Sequence, residues 1–114
     1  MNAEIIIAKS FEPDFKHLRK KYRSIQSDVD KLIVKLRENP LQGTDIGHNM
    51  RKIRLPISSK GRGKSGGARV ITHVIVVAEV DETTVRLLTI YDKSERESVS
   101  DSKLLAILKQ EGLL

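Results

Sequence analysis

The sequence predicts a small α+β domain: a mostly antiparallel sheet with an N-terminal helical hairpin packed on one face, followed by a C-terminal helix. Two observations lead to this class. Apolar residues recur at helical spacing through residues 10–37, and from Met50 onwards the apolar period changes to two, which is the period of a strand. Because hairpin-length connections join the strand-like segments, antiparallel pairing is expected.

The N-terminal third predicts a short strand and two helices. The segment EIIIA at 4–8 reads as the strand. Ser10 is the expected cap of the first helix, and Pro13 fits a first helical turn. A second helix is expected from about Ile25 to Arg37, where the proline of ENPLQG ends it. The apolar face of the first helix consists of Phe11, Phe15, Leu18 and Tyr22.

The segment RKIRLPI predicts a strand with one apolar and one cationic face. Ile53 and Leu55 point towards the core, so Lys52 and Arg54 must point the other way. Pro56 cannot donate to a ladder and indicates the end of the strand or an edge position.

The remaining elements are two strands and a helix. ARVITHVIVVAEV is the candidate for the central strand, DETT for a turn and VRLLTIY for the next strand. The last helix is expected at about Asp101 to Gln110, with Ser100 as its cap and Gly112 as its stop. With all helices on one face of the sheet, the face that carries Lys52 and Arg54 would remain open as a basic groove.

Length and composition exclude several classes of protein. The chain has 114 residues and no cysteine, so we expect a single domain over 1–114 without disulfides or a thiolate metal site. The three histidines are scattered along the sequence, which disfavours a metal centre. No apolar run reaches the length of a membrane span, and Glu4 stands where a secretion signal needs basic residues. A cytoplasmic protein without a membrane partner is expected.

The segment SSKGRGKSGGAR, residues 58–69, resembles a phosphate-binding loop but lacks one glycine, because Ser58 stands at the first glycine position. Such a loop must also lead into a helix, whereas a Val- and Ile-rich strand follows here. We therefore interpret it as a connection between two strands.

Positive charge is concentrated around this connection. No acidic residue occurs from Ile46 to Ala78; of the 21 basic residues seven lie here, and the other 14 face 15 acidic residues elsewhere. A single-sign patch favours a polyanionic partner such as nucleic acid, although a basic loop without a partner stays open. Aromatic residues make up only 4% of the chain, so phosphate contacts should outweigh base stacking. The seven basic residues are Arg51, Lys52, Arg54, Lys60, Arg62, Lys64 and Arg69.

Four motifs accompany the predicted order of elements: LRENPLQG at the end of the second helix, the strand RKIRL, GKSGGARVI, and LLTIYDKSERESVS before the last helix. Together they resemble the RelE/ParE superfamily of bacterial toxins, and most closely its RelE-like and HigB-like groups. The resemblance covers nearly the whole chain.

This resemblance implies the toxin of a type II toxin–antitoxin system, held inactive by a cognate antitoxin protein. Many relatives are mRNA interferases that cleave mRNA on the ribosome and so arrest translation. Their reaction uses the 2′-hydroxyl of the RNA and needs no metal and no small-molecule cofactor, provided that cations and a proton donor are suitably placed.

The resemblance also assigns residues. Arg69 matches an arginine that follows a glycine-containing turn and would clamp the phosphate, since its planar fork can hold two oxygens. Lys52 and Arg54 would remove a proton or stabilise charge. Tyr91 and Lys93 would contact a base or protonate the leaving group. The concentration of positive charge, rather than the resemblance, adds four expected RNA contacts: Arg51, Lys60, Arg62 and Lys64.

Other interpretations stay open. Tyr91 fits a core tyrosine equally well, and Lys93 could pair with Glu95 or Glu97. Some relatives carry an arginine and a tyrosine where this chain has Ser94 and Ser100, which weakens the assignment of the general acid and base. A ParE-like inhibitor of DNA gyrase and a non-catalytic basic RNA-binding module are the alternative functions.

Overall fold

The computed structural model describes residues 3–60 and 67–114. Within these ranges three helices pack against a five-stranded sheet with the spatial strand order β1-β5-β4-β3-β2. The pair β1–β5 is parallel and the other neighbours are antiparallel, so the predicted α+β class is confirmed. The elements are β1 (Glu4–Ile7), α1 (Phe11–Lys21), α2 (Ile25–Glu38), β2 (Thr44–Gly47), β3 (Met50–Leu55), β4 (Ala68–Val77), β5 (Glu82–Asp92) and α3 (Asp101–Gln110).

The helical hairpin of α1 and α2 covers one face of the sheet. Its apolar stripes meet alternate residues of β3, β4 and β5, as the strand period requires. This cluster holds most of the large buried side chains and forms the main core. Its fully or nearly buried members include Phe11, Leu18, Ile25, Leu36, Ile53, Val70, Val85, Leu87 and Ile90.

Helix α3 lies on the opposite face, so the expectation that all helices share one face is wrong. Leu104 and Leu108 pack there against Met50, Ile71 and Leu88. The reason lies in β4 and β5, whose apolar runs are nearly continuous rather than alternating. Such runs are typical of strands covered on both faces, and the open cationic face is therefore confined to the part of the sheet that α3 leaves uncovered.

The edge strand β2 was not predicted, and it pairs with β3 through a tight hairpin. His48 and Asn49 form its two-residue loop, with φ of 53° and 64°, the left-handed pair that a type I′ turn requires. The usual Asn-Gly or Asp-Gly signal is absent from the sequence, and Ile46 is the strand's one large apolar residue. A short edge strand of this kind leaves no clear periodic pattern.

The predicted ends of the elements were partly right. Ser100 caps α3 by accepting from the backbone N–H of Lys103 at 3.2 Å, and Gly112, with φ of 73°, ends it. Ser10 does not cap α1, because its Oγ donates to the carbonyl of Leu88 at 2.6 Å instead. The β4–β5 turn falls at Ala78–Val80 and Asp81, slightly earlier than DETT.

None of the helices within 3–60 and 67–114 combines the length and the apolar character that crossing a membrane requires.

Candidate functional site

A concave surface of about 430 Å³ gathers four of the predicted cations, and we name it the basic cavity. It lies where β3, β4 and the end of β5 run side by side. Its lining consists of Gly43, Thr44, Lys52, Arg54, Arg69 and Lys93. The cavity thus combines backbone from the chain at the start of β2 with cations from three strands or their ends, and its described lining contains no carboxylate.

Strand register brings these cations together. Arg54 of β3 is the direct cross-strand partner of Arg69 of β4, so their side chains emerge on the same face. Like charges in directly opposite positions destabilise a sheet. Within the described residues, the ion pairs involve neither Lys52, Arg54 nor Lys93. A group of cations whose described cavity lining holds no carboxylate is suited to binding an anion.

Arg69 is the most buried of the four cations, at 8% exposure. Its Nη1 donates to the carbonyl of Ala68 at 3.2 Å, and its cross-strand partner on the other side is Tyr91. The guanidinium is therefore held by its surroundings, and little side-chain entropy remains to be lost when it binds a ligand.

Lys93 is positioned by a backbone hydrogen bond between the residue that follows β5 and the residue that precedes β4. Its backbone N–H donates to the carbonyl of Gly67 at 2.9 Å. Gly67 has φ of 58°, and a Cβ there would lie 3.0 Å from the carbonyl oxygen of Leu55, so the glycine allows the end of β3 and the start of β4 to approach. The alternative pairing of Lys93 with Glu95 or Glu97 is not among the ion pairs of the described residues; Glu95 contacts Lys21 at 2.9 Å and His17 at 3.1 Å instead.

Tyr91 lies beside the basic cavity rather than in its lining. Its side chain is 4% exposed and packs in the cluster beneath α3. Burial raises the pKa of its hydroxyl, against the opposing effect of the positive charges of Arg69 and Arg96. It borders a separate cavity of about 290 Å³, together with His17 and Arg96. The hydroxyl is thus neutral at physiological pH and close to the charge of Arg69.

Two other predicted RNA contacts have structural partners. Arg51 lies on the opposite face of β3 from Lys52, and its Nη1 donates to the carbonyls of Leu41 and Gly43 at 2.7 and 3.1 Å. The Nζ of Lys60 lies 3.1 Å from a carboxylate oxygen of Asp92. Neither residue lines the basic cavity. Arg62 and Lys64 lie outside the described residues.

The carboxylate of Asp92 is a polar centre that no sequence pattern predicted. Its side chain is fully buried, and it accepts from the hydroxyl of Tyr22, from Lys21 at 3.3 Å, from Lys60 at 3.1 Å and from the backbone of Ser94 at 2.9 Å. Burial acts to raise the pKa of Asp92, but the hydrogen bonds from Tyr22, Ser94 and Lys60 outweigh it and lower the pKa well below the usual range. The carboxylate therefore fixes the end of β5.

The histidines do not assemble into a site. His73 is 2% exposed, and burial together with the charge of Arg86 lowers its pKa; it is a neutral interior residue of β4. His48 occupies the β2–β3 turn, while His17 is exposed beside Glu95. In the part of the chain that the structure describes, no group of histidines and carboxylates could hold a metal ion.

Gly43 is required where the chain borders the basic cavity, which gives a testable prediction. It has φ of 95°, and a Cβ would lie 2.7 Å from both the carbonyl oxygen of Lys52 and Cγ1 of Ile53. Gly47 has φ of 92°, but a Cβ there would meet no heavy atom within 4 Å. We expect Gly47→Ala to lower the free energy of unfolding by about 1 kcal/mol, from backbone strain alone. Gly43→Ala should lower it by about 3 kcal/mol, because overpacking adds to the strain. Urea unfolding measures both losses. Equal costs would contradict the steric argument.

Comparison with known proteins yields a similarity of fold. No family model matches the sequence, and no curated protein matches it. Among solved structures, a double arginine-to-alanine mutant of Escherichia coli toxin RelE in the free state superposes with a TM-score of 0.54. The sequences are 18% identical, and the match covers 85% of this chain and 90% of RelE. The chain therefore has a RelE-like fold, while the HigB-like resemblance gains no support from this comparison.

Proposed function

We propose that this protein is the toxin of a type II toxin–antitoxin system and acts as a ribosome-dependent endoribonuclease on mRNA. The observation that carries the proposal is the basic cavity, in which four cations converge from three strands without a carboxylate in the described lining. A polyanion is the ligand that such a surface binds best. The RelE-like fold is consistent with this function. A cytoplasmic location and a cognate antitoxin belong to the same proposal.

The proposed reaction is an attack within the RNA. The 2′-hydroxyl loses its proton as its oxygen bonds to the adjacent phosphorus, and the bond from phosphorus to the 5′-oxygen breaks. The leaving oxygen takes up a proton, so the products are a 2′,3′-cyclic phosphate and a 5′-hydroxyl end. The protein has three tasks: to assist removal of the 2′ proton, to stabilise the charge that develops on the phosphoryl oxygens, and to supply the proton that the leaving oxygen takes up.

The geometry of the basic cavity suggests how the tasks divide. Arg69, held within β4, would bind the phosphoryl oxygens, with Arg54 directly opposite it adding a second donor. Lys52 lies further along the same face of β3 and would assist removal of the 2′ proton. Lys93 would protonate the leaving oxygen, and the neutral hydroxyl of Tyr91 beside Arg69 is the second candidate for this role.

One observation favours a second candidate, an RNA-binding module without catalysis. The serines at the two positions where some relatives carry an arginine and a tyrosine are both engaged in the fold. The Oγ of Ser94 donates to Asp92 at 2.7 Å, and the Oγ of Ser100 caps α3. Neither serine supplies the charge of an arginine or the phenolic hydroxyl of a tyrosine, so catalysis would depend on the four cations and Tyr91.

Induced expression in bacteria tests the proposal. RNA is collected over the first minutes with and without an inhibitor of translation initiation, and new 5′-hydroxyl ends are mapped by sequencing. We expect ends inside translated codons that disappear when initiation is blocked. Binding of RNA without new ends would support the non-catalytic candidate. Growth arrest with relaxed or cleaved DNA and intact mRNA would point to a gyrase inhibitor instead.

A further inference from the structure

A second cavity, of about 240 Å³, adjoins the basic cavity through a shared residue. Arg54 lines both of them. The second cavity lies between α2 and the end of β3, and its other cations are Lys31 and Lys35. A line of positive charge thus runs from the basic cavity across Arg54 to α2, and we name Lys31, Arg54 and Lys35 the α2 strip.

The edge of the sheet is open at Arg54. The edge strand β2 pairs with β3 from Met50 to Lys52, and the pairing ends where Thr44 lies opposite Lys52. Beyond that point Ile53 to Leu55 have no β2 neighbour, and Pro56 follows the end of the strand. The exposed side chain of Arg54 therefore stands where a bound chain can pass from the face of the basic cavity to the side of α2 without crossing another strand.

Lys31 and Lys35 are the two cations that α2 contributes to the α2 strip. Both are exposed and one helical turn apart on α2, where two like charges repel weakly. Among the described residues neither takes part in an ion pair. Asp28 is the carboxylate of this cavity, but it is 4% exposed and accepts from the hydroxyls of Ser24 and Ser58 at 2.7 and 2.6 Å.

We infer that a single-stranded RNA bound in the basic cavity continues over Arg54 and places its flanking phosphates against Lys31 and Lys35. This inference rests on the proposed function and extends it from the reacting phosphate to the path of the strand. The described lining of the second cavity contains no aromatic residue, so the contacts are to the phosphate backbone and independent of base sequence.

The test compares two charge-matched double variants of the full chain. Lys31→Gln with Lys35→Gln removes the α2 strip lysines. Lys16→Gln with Lys20→Gln removes two exposed lysines at the same spacing on α1, away from both cavities. Fluorescence anisotropy measures binding of 2′-O-methyl RNA, which cannot be cleaved through its 2′-oxygen. One probe has about 4 nucleotides and the other about 12, which spans the range of single-strand site sizes.

We expect the α2 variant to lose about 5- to 10-fold in affinity for the long probe and nothing for the short one, with the α1 variant unchanged on both. The slope of log affinity against log salt should fall by about 1.4 for the long probe, as two fewer phosphates are neutralised. If the two variants bind the long probe equally well, and the wild type binds both probes, the inference that flanking phosphates contact the α2 strip is overturned. The proposed function then still stands.

Two other outcomes also decide. If the wild type binds neither probe, the strip is overturned, while the proposed cleavage on the ribosome is decided separately by the mapping of new RNA ends in translating cells. If a polyglutamate peptide of matching length binds the wild type more tightly than the long RNA and shows the same loss in the α2 variant, the strip is a surface for an acidic protein segment, and the RNA path is overturned.

Discussion

Replacing Arg69 with alanine is expected to lower RNA cleavage at least about 100-fold, the loss typical of removing one donor that stabilises transition-state charge. Arg69 stands between Arg54 and Tyr91 in the strand register and is the cation held most firmly by its surroundings. In the proposed mechanism, its removal would take away the planar fork that binds two phosphoryl oxygens. Cleavage of mRNA in a purified translation system gives the rate, and growth after induction gives the effect in cells.

Two companion variants separate this role from a loss of folding. Arg69→Lys keeps the charge but loses the fork, so its cleavage rate should fall between the wild type and Arg69→Ala. Arg37→Ala removes an exposed arginine at the end of α2 and should cleave normally. Circular dichroism must show the same fold for all three. Undiminished cleavage by a folded Arg69→Ala protein would contradict the assignment.

The period of the strands explains which site residues the sequence could place. Alternation puts Lys52 and Arg54 on the face opposite Ile53 and Leu55, and the structure shows this. The same rule puts Arg51 with Ile53, on the far side from the basic cavity. The prediction that Arg51 contacts RNA came from the concentration of cations in the sequence, which does not show on which face of β3 each cation lies. In the structure Arg51 donates to the chain before β2.

Contacts between distant segments could not be predicted in this way. Asp92 meets Tyr22 across 70 positions and Lys60 across 32, and no local pattern connects these residues. The sequence indicates this buried centre only weakly, through a single acidic residue directly after the apolar strand VRLLTIY. The placement of α3 could, by contrast, have been predicted from the sequence, because the nearly continuous apolar residues of β4 and β5 require cover on both faces of the sheet.

Asp92→Asn is expected to lower the free energy of unfolding by about 3 kcal/mol at neutral pH. The carboxylate is fully buried and accepts from two lysines, a tyrosine and Ser94, and hydrogen bonds to a charged group contribute about 1.5–3 kcal/mol. An amide keeps the shape but offers one acceptor oxygen and two misplaced donors. Urea unfolding measures the loss, and Asp30→Asn, at an exposed acid on α2, should stay within about 0.5 kcal/mol of the wild type.

The pH dependence of this loss identifies the charge as its cause. The pKa of Asp92 is lowered in the folded state. As the pH falls, Asp92 is therefore protonated in the unfolded chain before it is protonated in the folded one. The stability that the ionised carboxylate contributes is complete above the unfolded pKa of about 3.9 and is lost as pH falls further towards the folded pKa. The difference between the wild type and Asp92→Asn should therefore be constant from pH 7 to about pH 5 and shrink below about pH 4. A difference that persists unchanged at about pH 2 would mean that shape, not charge, makes Asp92 necessary.

The same variant bears on the site, because Asp92 contacts Lys60 and is followed directly in the chain by Lys93, which lines the basic cavity. If the carboxylate positions the basic cavity through the end of β5, Asp92→Asn should reduce RNA cleavage even at temperatures where the variant remains fully folded. Asp92→Glu restores the negative charge on a longer side chain. It should recover part of the cleavage if the charge of the carboxylate at this position is what holds the basic cavity in place. Full activity of folded Asp92→Asn would confine the residue to stability, and the cavity would then depend on strand register alone.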